Sequence, residues 1–426
     1  MSVDIRERLR RVLGPTRVVF TDRPLPIDAP ETEAPARGPS VEYLVAGEVR
    51  SGPLGECFVA ERRFSADHVH GGERLGGFAE LDERGLACLA RQASLDGLDR
   101  EAVVFLDTET TGLSGGTGTY VFMVGIGFFD SGHFVVRQFF MRHHAEEPAM
   151  LAALNADLGR FEAVVTFNGK AFDVPLLRTR FIQSRQRLAL AAEPHLDVLH
   201  AARRFWRDRL ESCSLGTIEA EMLGHRRTRD VPSWMIPELY FRYVRGGDAR
   251  PMARVFAHNL DDILSLTAVT CRLGRALGRP TPDDDAHDLF AVARTYEDLG
   301  LWDDACACYE LALEAGRGLP VRPAIAARYA GLCKRSGRSE RAVQLWRRLA
   351  LSGMQACEPY VELAKHYEHR ERDYAAAQSV VEQALVVVQL REARRAGGAS
   401  AERTDLEQRL ARLLVKRHRA ERRTSA

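Results

Sequence analysis

Long apolar runs, paired cysteines and an excess of charge are all missing from this sequence. Its 426 residues contain no uninterrupted apolar run of about 18 residues, which excludes a membrane-spanning helix. The first residues, MSVDIRERLRRVLG, are charged throughout and have no small-residue cleavage site, so we expect no secretory signal. The 60 basic and 59 acidic residues leave a net charge of +1, which excludes binding to nucleic acid or a membrane through global charge alone.

The cysteines and lysines carry two further expectations. The eight cysteines are scattered without any Cys-x-x-Cys pair, which is typical of reduced thiols and predicts a cytoplasmic protein. Lysine occurs only at positions 170, 334, 365 and 416, so arginine supplies nearly all of the positive charge. A composition bias of the genome explains this more simply than phosphate binding by guanidinium forks, and both explanations stay open.

Changes in composition divide the chain into segments. Residues 22–40 are rich in proline and acidic residues and have little to bury, and RALGRPTPDDDAHD is typical of a second linker. The sequence predicts six segments: a flexible N-terminal segment and linker (1–40), a small region with a β-hairpin and a helix (41–100), an α/β domain (101–274), a linker (275–288), helical repeats (289–390), and a basic capping helix with a tail (391–426).

The fold class follows from the pattern after residue 103. Three apolar runs, VVFLD, YVFMVGIGFF and HFVVRQFF, are joined by Gly-rich turns and predict an antiparallel meander. The apolar strand AVVTF and several helices follow. The sequence therefore predicts an α/β domain with a mixed sheet, three antiparallel strands followed by alternating helix and strand, and helices packed on the sheet's faces.

The last part of the chain repeats itself. Ala305, Ala342 and Ala377 lie at equivalent positions in three segments, with small residues where helices would touch and bulky residues between them. The pattern predicts an all-α helix-turn-helix solenoid that resembles tetratricopeptide repeats, whose period is about 34 residues. Such repeats favour a protein partner or a role in holding the substrate.

The strongest chemical signal is FLDTETTGL at 105–113. Asp107 and Glu109 are two residues apart at the end of an apolar strand, so their side chains point to the same face. An unpaired buried carboxylate is costly. A divalent cation bound by hard oxygen ligands is therefore favoured over a pair of acids exposed in the following turn.

Two further carboxylates lie far along the chain. Asp173, in VVTFNGKAFDVPLL, opens a helix, and a capping role is as well supported as metal binding. Asn168 and Lys170 end the preceding strand and suit contacts to a phosphate or a nucleotide sugar. In ARVFAHNLDDILSLTAV, His258 and Asp262 are four residues apart and share one helical face.

Phosphodiester hydrolysis by two metal ions would require these residues to converge. The ions lie about 3.5–4 Å apart, where one activates a water molecule and the other stabilises the leaving 3′-oxygen. Asp107, Glu109, Asp173 and Asp262 would supply ligands for two divalent cations, Mg²⁺ or Mn²⁺. His258 would orient or deprotonate the attacking water.

Together these motifs resemble those of the DEDD exonuclease superfamily, which has a ribonuclease H-like fold. The run DTETTGL is close to that of proofreading-type exonucleases. More narrowly, FLDTETTGLSGGTGTYVFMVG, FNGKAFDVPLLRTR, HLDVLHAARRFWRDRL and HNLDDILSL resemble the YprB-type predicted exonucleases, in which tetratricopeptide-like repeats follow the ribonuclease H-like domain. The resemblance covers residues 43–390.

The resemblance implies a role for each matching residue. The four carboxylates would be the metal ligands, and His258 would have the position of the general base. Thr110, Thr111 and Leu113 would line the pocket of the terminal nucleotide. Three residues separate His258 from Asp262, which is the spacing of superfamily members with tyrosine at this position, whereas four residues separate the pair in members with histidine.

Two groups of polar residues between these motifs have two interpretations each. His195 and Asp197 are predicted on a short strand, where Asp197 either orients a ligand or water from outside the metal shell or forms a buried hydrogen-bonded pair. Arginines 203, 204, 207 and 209 surround Phe205 and Trp206, and arginines 226, 227 and 229 follow. This pattern suits phosphate contacts with base stacking on a single strand, or an amphipathic helix whose aromatic residues are in the core.

The sequence as a whole predicts a metal-dependent nuclease. A 3′→5′ exonuclease on single-stranded DNA or RNA is favoured, with a protein partner bound through the repeats and no membrane. A structure-selective endonuclease with the same carboxylates and a non-catalytic adaptor on a retired nuclease core are the alternatives. A retired core would be expected to lack some carboxylates, and none of the four is missing here.

Overall fold

The structure is a computed structural model that describes residues 38–91, 97–112, 118–190, 193–228, 230–352, 356–395 and 400–424. Of the predicted N-terminal segment, only residues 38–40 are included, and Leu113 and Arg229 lie outside the described residues. All eight cysteines are described and are free thiols.

A seven-stranded mixed sheet forms the centre of the α/β domain, with strand order β1-β2-β7-β6-β5-β8-β9. Strands β5, β8 and β9 are parallel to one another, and the other neighbours are antiparallel. A separate two-stranded sheet pairs β3 with β4. The strands are β1 (Gly47–Gly52), β2 (Gly55–Ser65), β3 (Val69–His70), β4 (Glu73–Arg74), β5 (Val103–Thr110), β6 (Val121–Asp130), β7 (His133–Phe140), β8 (Ala163–Thr166) and β9 (His195–Asp197).

Fifteen helices that the structure describes surround and follow this sheet. They are α1 (Val41–Leu44), α2 (Glu83–Ala90), α3 (Glu147–Leu158), α4 (Asp173–Gln183), α5 (Val198–Trp206), α6 (Leu215–Ile218), α7 (Ile236–Gly246), α8 (Arg250–Gly278), α9 (Ala286–Asp298), α10 (Trp302–Ala315), α11 (Arg322–Arg335), α12 (Ser339–Leu351), α13 (Glu358–His366), α14 (Tyr374–Arg395) and α15 (Ala401–Thr424). The mixed sheet followed by an all-helical region confirms the predicted fold class.

The β1–β2 hairpin belongs to the main sheet, although the sequence predicts it within a region of its own. Strand β2 pairs with β7 from Phe58 opposite Phe140 to Ser65 opposite His133. This pairing gives partners to backbone groups that β7 would otherwise expose at the edge of the sheet, and it accompanies the burial of Phe58 and Val59.

Alternating residues of β5 enter two different cores. Val103 and Phe105 pack with α2, α5 and the C-terminal half of α8, whereas Val104 and Leu106 pack with α3, α4 and α7. This is the two-residue alternation of a strand that is buried on both faces. Helices therefore cover both faces of the sheet.

The first of these cores continues into the C-terminal helices. It joins α8 to α9, α10, α11 and α12, and the hydroxyl of Tyr296 donates to the carbonyl of Leu277 at 2.5 Å. Helices α13, α14 and α15 have a core of their own. The assignment of these helices as tetratricopeptide repeats stays a prediction. Within the described ranges, none of the helices is both long and apolar enough to cross a membrane.

Helix α8 packs directly against β6 at two residues that lack a side chain. A Cβ on Gly125 would lie 2.2 Å from Oδ1 of Asn259, and a Cβ on Gly127 would lie 2.5 Å from Cγ2 of Ile263. The two glycines therefore allow the side chains of α8 to reach the end of β5.

Candidate active site

Two of the predicted acidic residues lie at the end of the central strand β5. Glu109 is buried and Asp107 is partly buried, and both side chains are on the face that α8 covers. Thr108 lies between them and points to the opposite face, as strand alternation requires. The pairing of β5 with β6 shifts its register between Glu109 and Thr110, so the regular ladder is interrupted where the carboxylates end the strand.

Asn259 of α8 positions the first carboxylate. Its Nδ2 donates to Oδ2 of Asp107 at 2.8 Å, and its Oδ1 accepts from Nε2 of Gln138 at 2.9 Å. Gln138 also donates to the carbonyl of Phe256 at 2.8 Å. Since Asn259 and Gln138 are buried, this chain of hydrogen bonds determines where the Asp107 carboxylate lies.

His258 and Asp262, one helical turn apart on α8, face the second carboxylate. Nε2 of His258 lies 3.3 Å from Oδ2 of Asp262 and 3.9 Å from Oε1 of Glu109. The three residues each offer one ligand atom, and these atoms lie within 4.8 Å of one another. The group is therefore compact enough to surround a single cation.

Asp230 holds the other side of the imidazole. Its Oδ1 lies 2.7 Å from Nδ1 of His258, so the carboxylate favours the tautomer with the proton on Nδ1. Nε2 then keeps its lone pair, which points towards Glu109 and Asp262. A carboxylate that orients the far nitrogen is the usual support of a histidine that binds metal or accepts a proton.

Asp173 approaches from the other face of β5. Its Oδ1 accepts from the Thr108 hydroxyl at 2.5 Å, and the residue is buried at the start of α4. The carboxylate nevertheless lines the same cavity as the β5 pair, and its negative charge contributes to raising the pKa of both Asp107 and Glu109.

The charges of this cluster are only partly compensated. Burial, followed by repulsion from Asp262 and Asp173, raises the pKa of Asp107 well above its usual range, and burial together with Asp107 does the same for Glu109. Burial raises the pKa of Asp173 to about 6. Carboxylate oxygens with a nearby imidazole are suitable ligands for Mg²⁺ or Mn²⁺, and a bound cation would offset this repulsion. The donor set therefore fits divalent cations.

Arg227 pairs with only one of these four carboxylates. It donates to Oδ1 of Asp262 at 2.5 Å and to both oxygens of Glu219 at 2.8 Å, which leaves Oδ2 of Asp262 on the side of His258. Among the described residues, no arginine or lysine forms an ion pair with the other three carboxylates. Burial disfavours the charge of Arg227, but Asp262 and Glu219 outweigh this effect and raise its pKa. Arg227 is therefore a fixed cation beside the cluster.

A second group of possible ligands lies behind this arginine. One atom each of His70, Glu219 and His225 lies within 4.8 Å of the others. Nε2 of His70 lies 2.7 Å from Oγ of Ser265, whose hydroxyl also donates to Glu219. Because both oxygens of Glu219 already accept from Arg227, this group extends the hydrogen-bond network that holds Arg227.

The cavity around the cluster has a volume of ≈ 550 Å³. Its walls include all five of the predicted catalytic residues and two of the predicted substrate-binding residues, Thr110 and Asn168. Phe167, Phe172 and Leu215 contribute apolar surface. A cavity of this size suits a small organic ligand rather than a large surface.

The other predicted substrate-binding residues are placed differently. The Thr111 hydroxyl accepts from the backbone amide of Tyr120 at 2.9 Å, and the residue is not part of the described cavity wall. Lys170 lines a neighbouring groove instead. Leu113 lies outside the described residues.

Asp197 holds the turn after β8. Its two carboxylate oxygens accept from the backbone amides of Asn168 at 2.8 Å and Lys170 at 3.1 Å. This contact stabilises the left-handed conformation of Asn168, whose φ is 69°. His195, on the same strand as Asp197, lies 2.8 Å from the Thr166 hydroxyl through Nε2. Both residues are buried and support the turn that carries Asn168 into the cavity.

The aromatic residues of the Arg-rich stretch do not stack on a substrate. Phe205 and Trp206 of α5 are buried in the hydrophobic core, which excludes the base-stacking interpretation of these two rings. Arg203 is exposed and lines the cavity, whereas Arg209 pairs with Asp288 at 2.8 Å.

Several residues of the site have little or no signal in the sequence. Asn259 has one indication in the sequence, because it directly follows the predicted catalytic residue His258 on α8. Asp230 and Glu219 come from loop and irregular helical segments whose spacing to α8 shows no pattern. Trp234 is 69% exposed and lies between Ser233 and Pro237, which line the cavity. An exposed indole at the rim of a cavity becomes visible only once the fold is known.

Comparisons with known proteins agree with this geometry. A family model described as RNase_H superfamily matches residues 104–273, which include all four carboxylates. The chain is also 32% identical over 337 residues to "Uncharacterized protein YprB" of Bacillus subtilis (strain 168). The match covers 77% of this chain and 80% of that protein.

Proposed function

This chain belongs to the same family as Bacillus subtilis YprB and contains a ribonuclease H superfamily domain, and on that premise we propose that it is a two-metal-ion 3′→5′ exonuclease on single-stranded DNA or RNA. Membership of the superfamily implies nucleic-acid binding and suggests nuclease activity, and the fold generally uses divalent metals. The 3′→5′ polarity follows the resemblance of DTETTGL to proofreading-type exonucleases.

The convergence of four carboxylates and one histidine carries this proposal. They come from β5, α4 and α8, which are far apart along the chain, and all five line one cavity. Burying three carboxylates with raised pKa values costs stability, and the fold offers only partial neutralisation through Arg227. Buried carboxylates that lower the stability of the protein in this way are typical of a functional site rather than of a structural core.

Each residue would have a distinct task. Asp107, Glu109, Asp173 and Asp262 would hold two divalent cations, which supply activation of the attacking water and stabilisation of the leaving 3′-oxygen. His258, oriented by Asp230, would accept the water's proton at Nε2.

The shape of the cavity favours the end of one strand as substrate. A volume of ≈ 550 Å³ is sufficient for a terminal nucleotide but not for a duplex. Phe167 and Phe172 would contact its base or sugar, and Asn168 would contact the sugar or phosphate. Trp234, exposed at the rim, would stack on the next base.

A protein partner at the C-terminal helices stays part of this proposal. Exposed apolar side chains on the last two helices support it: Val386, Leu390, Leu414 and Val415.

A nuclease assay with Mn²⁺ tests the proposed function. We expect the full-length protein to shorten an end-labelled single strand of DNA or RNA stepwise from its 3′ end and to leave a circular single strand intact. Asp107→Asn and Asp173→Asn should abolish hydrolysis while the protein keeps its fold, because each removes one metal ligand at nearly constant volume. Glu238→Gln serves as the control, since that carboxylate is exposed and pairs only with Arg242 among the described residues.

Each outcome decides a different part of the proposal. Full activity in either Asn variant would refute the metal-ligand assignment. Cleavage of the circular strand would replace the exonuclease with an endonuclease. If the wild-type protein neither binds Mn²⁺ calorimetrically nor hydrolyses any strand, the adaptor alternative is correct.

A further inference from the structure

Helix α5 separates the catalytic cavity from a second depression. Leu199 and Arg203, four residues apart, line the cavity, whereas His200 and Arg204, each one residue later, line the second depression. Successive residues of a helix are about 100° apart, so neighbouring faces of α5 form the walls of the two depressions. The second depression extends to α9, where Thr295 contributes to its wall.

We call this depression the basic groove. Four basic residues line its wall: Arg91, Lys170, His200 and Arg204. Two more lie at its edge, Arg294 of α9 and Arg328 of α11. They come from five parts of the chain, so their clustering results from the packing of the C-terminal helices against the α/β domain.

Three of these arginines share one carboxylate. Asp298 lies 3.0 Å from Arg204, 3.7 Å from Arg91 and 3.7 Å from Arg328. Arg328 also pairs with Glu297 at 3.0 Å, and Glu297 binds Arg335 as well, so two carboxylates face four guanidinium groups. Burial, followed by repulsion from Arg91 and Arg328 among others, lowers the pKa of Arg204 even though Asp298 is in contact.

Arg294 adds a further positive charge that forms no ion pair among the described residues. Its guanidinium donates to the carbonyl of Arg204, and its Nε is buried without a hydrogen-bond partner among the described residues. Burial, together with repulsion from Arg328, lowers its pKa, although the charge of Asp208 acts in the opposite direction. A half-buried guanidinium with an unused donor favours an anionic ligand.

Asp197 is the only carboxylate in the described wall of the basic groove. Its two oxygens accept from the amides of Asn168 and Lys170, so its charge is directed at the turn after β8. With Asp298, Glu297 and Glu193 (3.8 Å from Lys170) included, the groove and its edge still hold more basic than acidic side chains, beside an acidic catalytic cavity.

We propose that the basic groove binds the backbone phosphates of the same single strand whose 3′ end lies in the catalytic cavity. This inference rests on the proposed function and adds the path of the strand. Helix α5 is about 10–12 Å across, and a stacked strand rises about 3.4 Å per nucleotide along its axis, so about three nucleotides, or fewer in an extended strand, reach from the cavity to the groove. The C-terminal helices then contribute to substrate binding through α9 and α11.

Substitution of two exposed groove arginines tests this path. The double variant Arg91→Ala/Arg328→Ala removes two cations from residues that are not in the catalytic cavity. Each phosphate contact contributes about 0.7 to the slope of log affinity against log salt for single strands, so the slope should fall by about 1.4. At about 0.1 M salt, this decrease in slope corresponds to about 25-fold weaker binding. Binding is measured with a strand of about 20 nucleotides, in EDTA so that the strand is not hydrolysed.

Two control variants separate charge from structure. Arg91→Lys/Arg328→Lys keeps both charges and should restore most of the salt dependence. Arg348→Ala removes an exposed arginine that lines a different pocket of the C-terminal helices, and should bind like the wild type. Hydrolysis of a dinucleotide in Mn²⁺ should be the same in all variants, because a dinucleotide is too short to reach the groove.

The outcomes separate this proposal from the proposed function. A wild type that hydrolyses the long strand, together with an alanine double variant that keeps the wild-type salt slope, would refute the groove. An equal loss of dinucleotide hydrolysis would also refute it, because the arginines would then act on the cavity. A wild type without binding or hydrolysis of any strand would refute the proposed function itself.

Discussion

Replacing Gly125 with alanine tests how the site is held together. A Cβ on Gly125 would lie 2.2 Å from Oδ1 of Asn259 and 2.9 Å from its Cγ and Nδ2. Atoms cannot approach that closely, so either the asparagine side chain or α8 must move. Asn259 is fully buried and bonded to Gln138 and Asp107, so no free rotamer is expected to relieve the clash.

The cost of this substitution follows from its separate contributions. Overpacking of a core costs about 1–3 kcal/mol, and loss of a hydrogen bond to a charged group costs about 1.5–3 kcal/mol. Replacing a glycine within a strand offsets about 0.5–1 kcal/mol of this. We therefore expect Gly125→Ala to lower the free energy of unfolding by about 2–5 kcal/mol. Hydrolysis should also fall, because Asp107 is no longer held in place.

A double-mutant cycle identifies the cause. Asn259→Ala removes the atoms that clash, so Gly125→Ala should cost about 1 kcal/mol or less in that background. Urea unfolding of the four proteins measures the coupling. Gly52→Ala is the matched control, because Gly52 lies in the same sheet and its Cβ would have no atom within 4 Å. Costs that add within about 0.5 kcal/mol would refute the clash as the mechanism.

Two other expected outcomes concern the turn after β8 and the rim of the cavity. Burial lowers the pKa of His195 to about 4, so below about pH 6.5 the unfolded chain binds more protons than the folded one, and stability should decrease as the pH falls from 6.5 towards 4. The urea midpoint of His195→Asn should decrease less steeply over this range, and equal slopes would contradict the assignment. Trp234→Ala should raise KM for a single strand by about 5–150-fold at constant kcat, because stacking on one base contributes about 1–3 kcal/mol. Trp302→Ala, at an exposed position on α10, is the control, and an unchanged KM in Trp234→Ala would exclude stacking.

The sheet and its helices could be predicted because their signals are local. The alternation of Val103 to Leu106 encodes a strand that is buried on both faces, and the apolar run of β8 does the same. The contact between β2 and β7 could not be predicted, because the residue pattern of a hairpin carries no information about which edge of a sheet it joins.

The carboxylates could be predicted individually, but their supporting residues could not. Asp107 and Glu109 are recognisable because acids at the end of an apolar strand are costly. Asn259 reaches Asp107 only because Gly125 lets α8 approach the sheet, and this depends on a contact between residues 134 positions apart. Such a contact has no periodicity along the chain.

Two predicted substrate-binding residues show why spacing along a turn is a weak guide. Asn168 and Lys170 are two residues apart and would share a face in a strand. The left-handed conformation of Asn168 breaks that alternation, so Asn168 faces the cavity and Lys170 faces the basic groove. In the proposed complex, the two side chains would therefore contact different parts of the bound strand.

The spacing of His258 and Asp262 has a physical explanation in this fold. With three intervening residues they lie one turn apart on the same face of α8, whereas a fourth would place them about 140° apart on a straight helix. The shorter spacing brings Nε2 of His258 within 3.3 Å of Asp262 and turns Nδ1 towards Asp230. An imidazole has a second ring nitrogen that can form a hydrogen bond on the far side, whereas a phenol has only its hydroxyl oxygen. Under the proposed function, Asp230, which lies outside the motif, would allow a histidine to serve at a position whose spacing is typical of tyrosine.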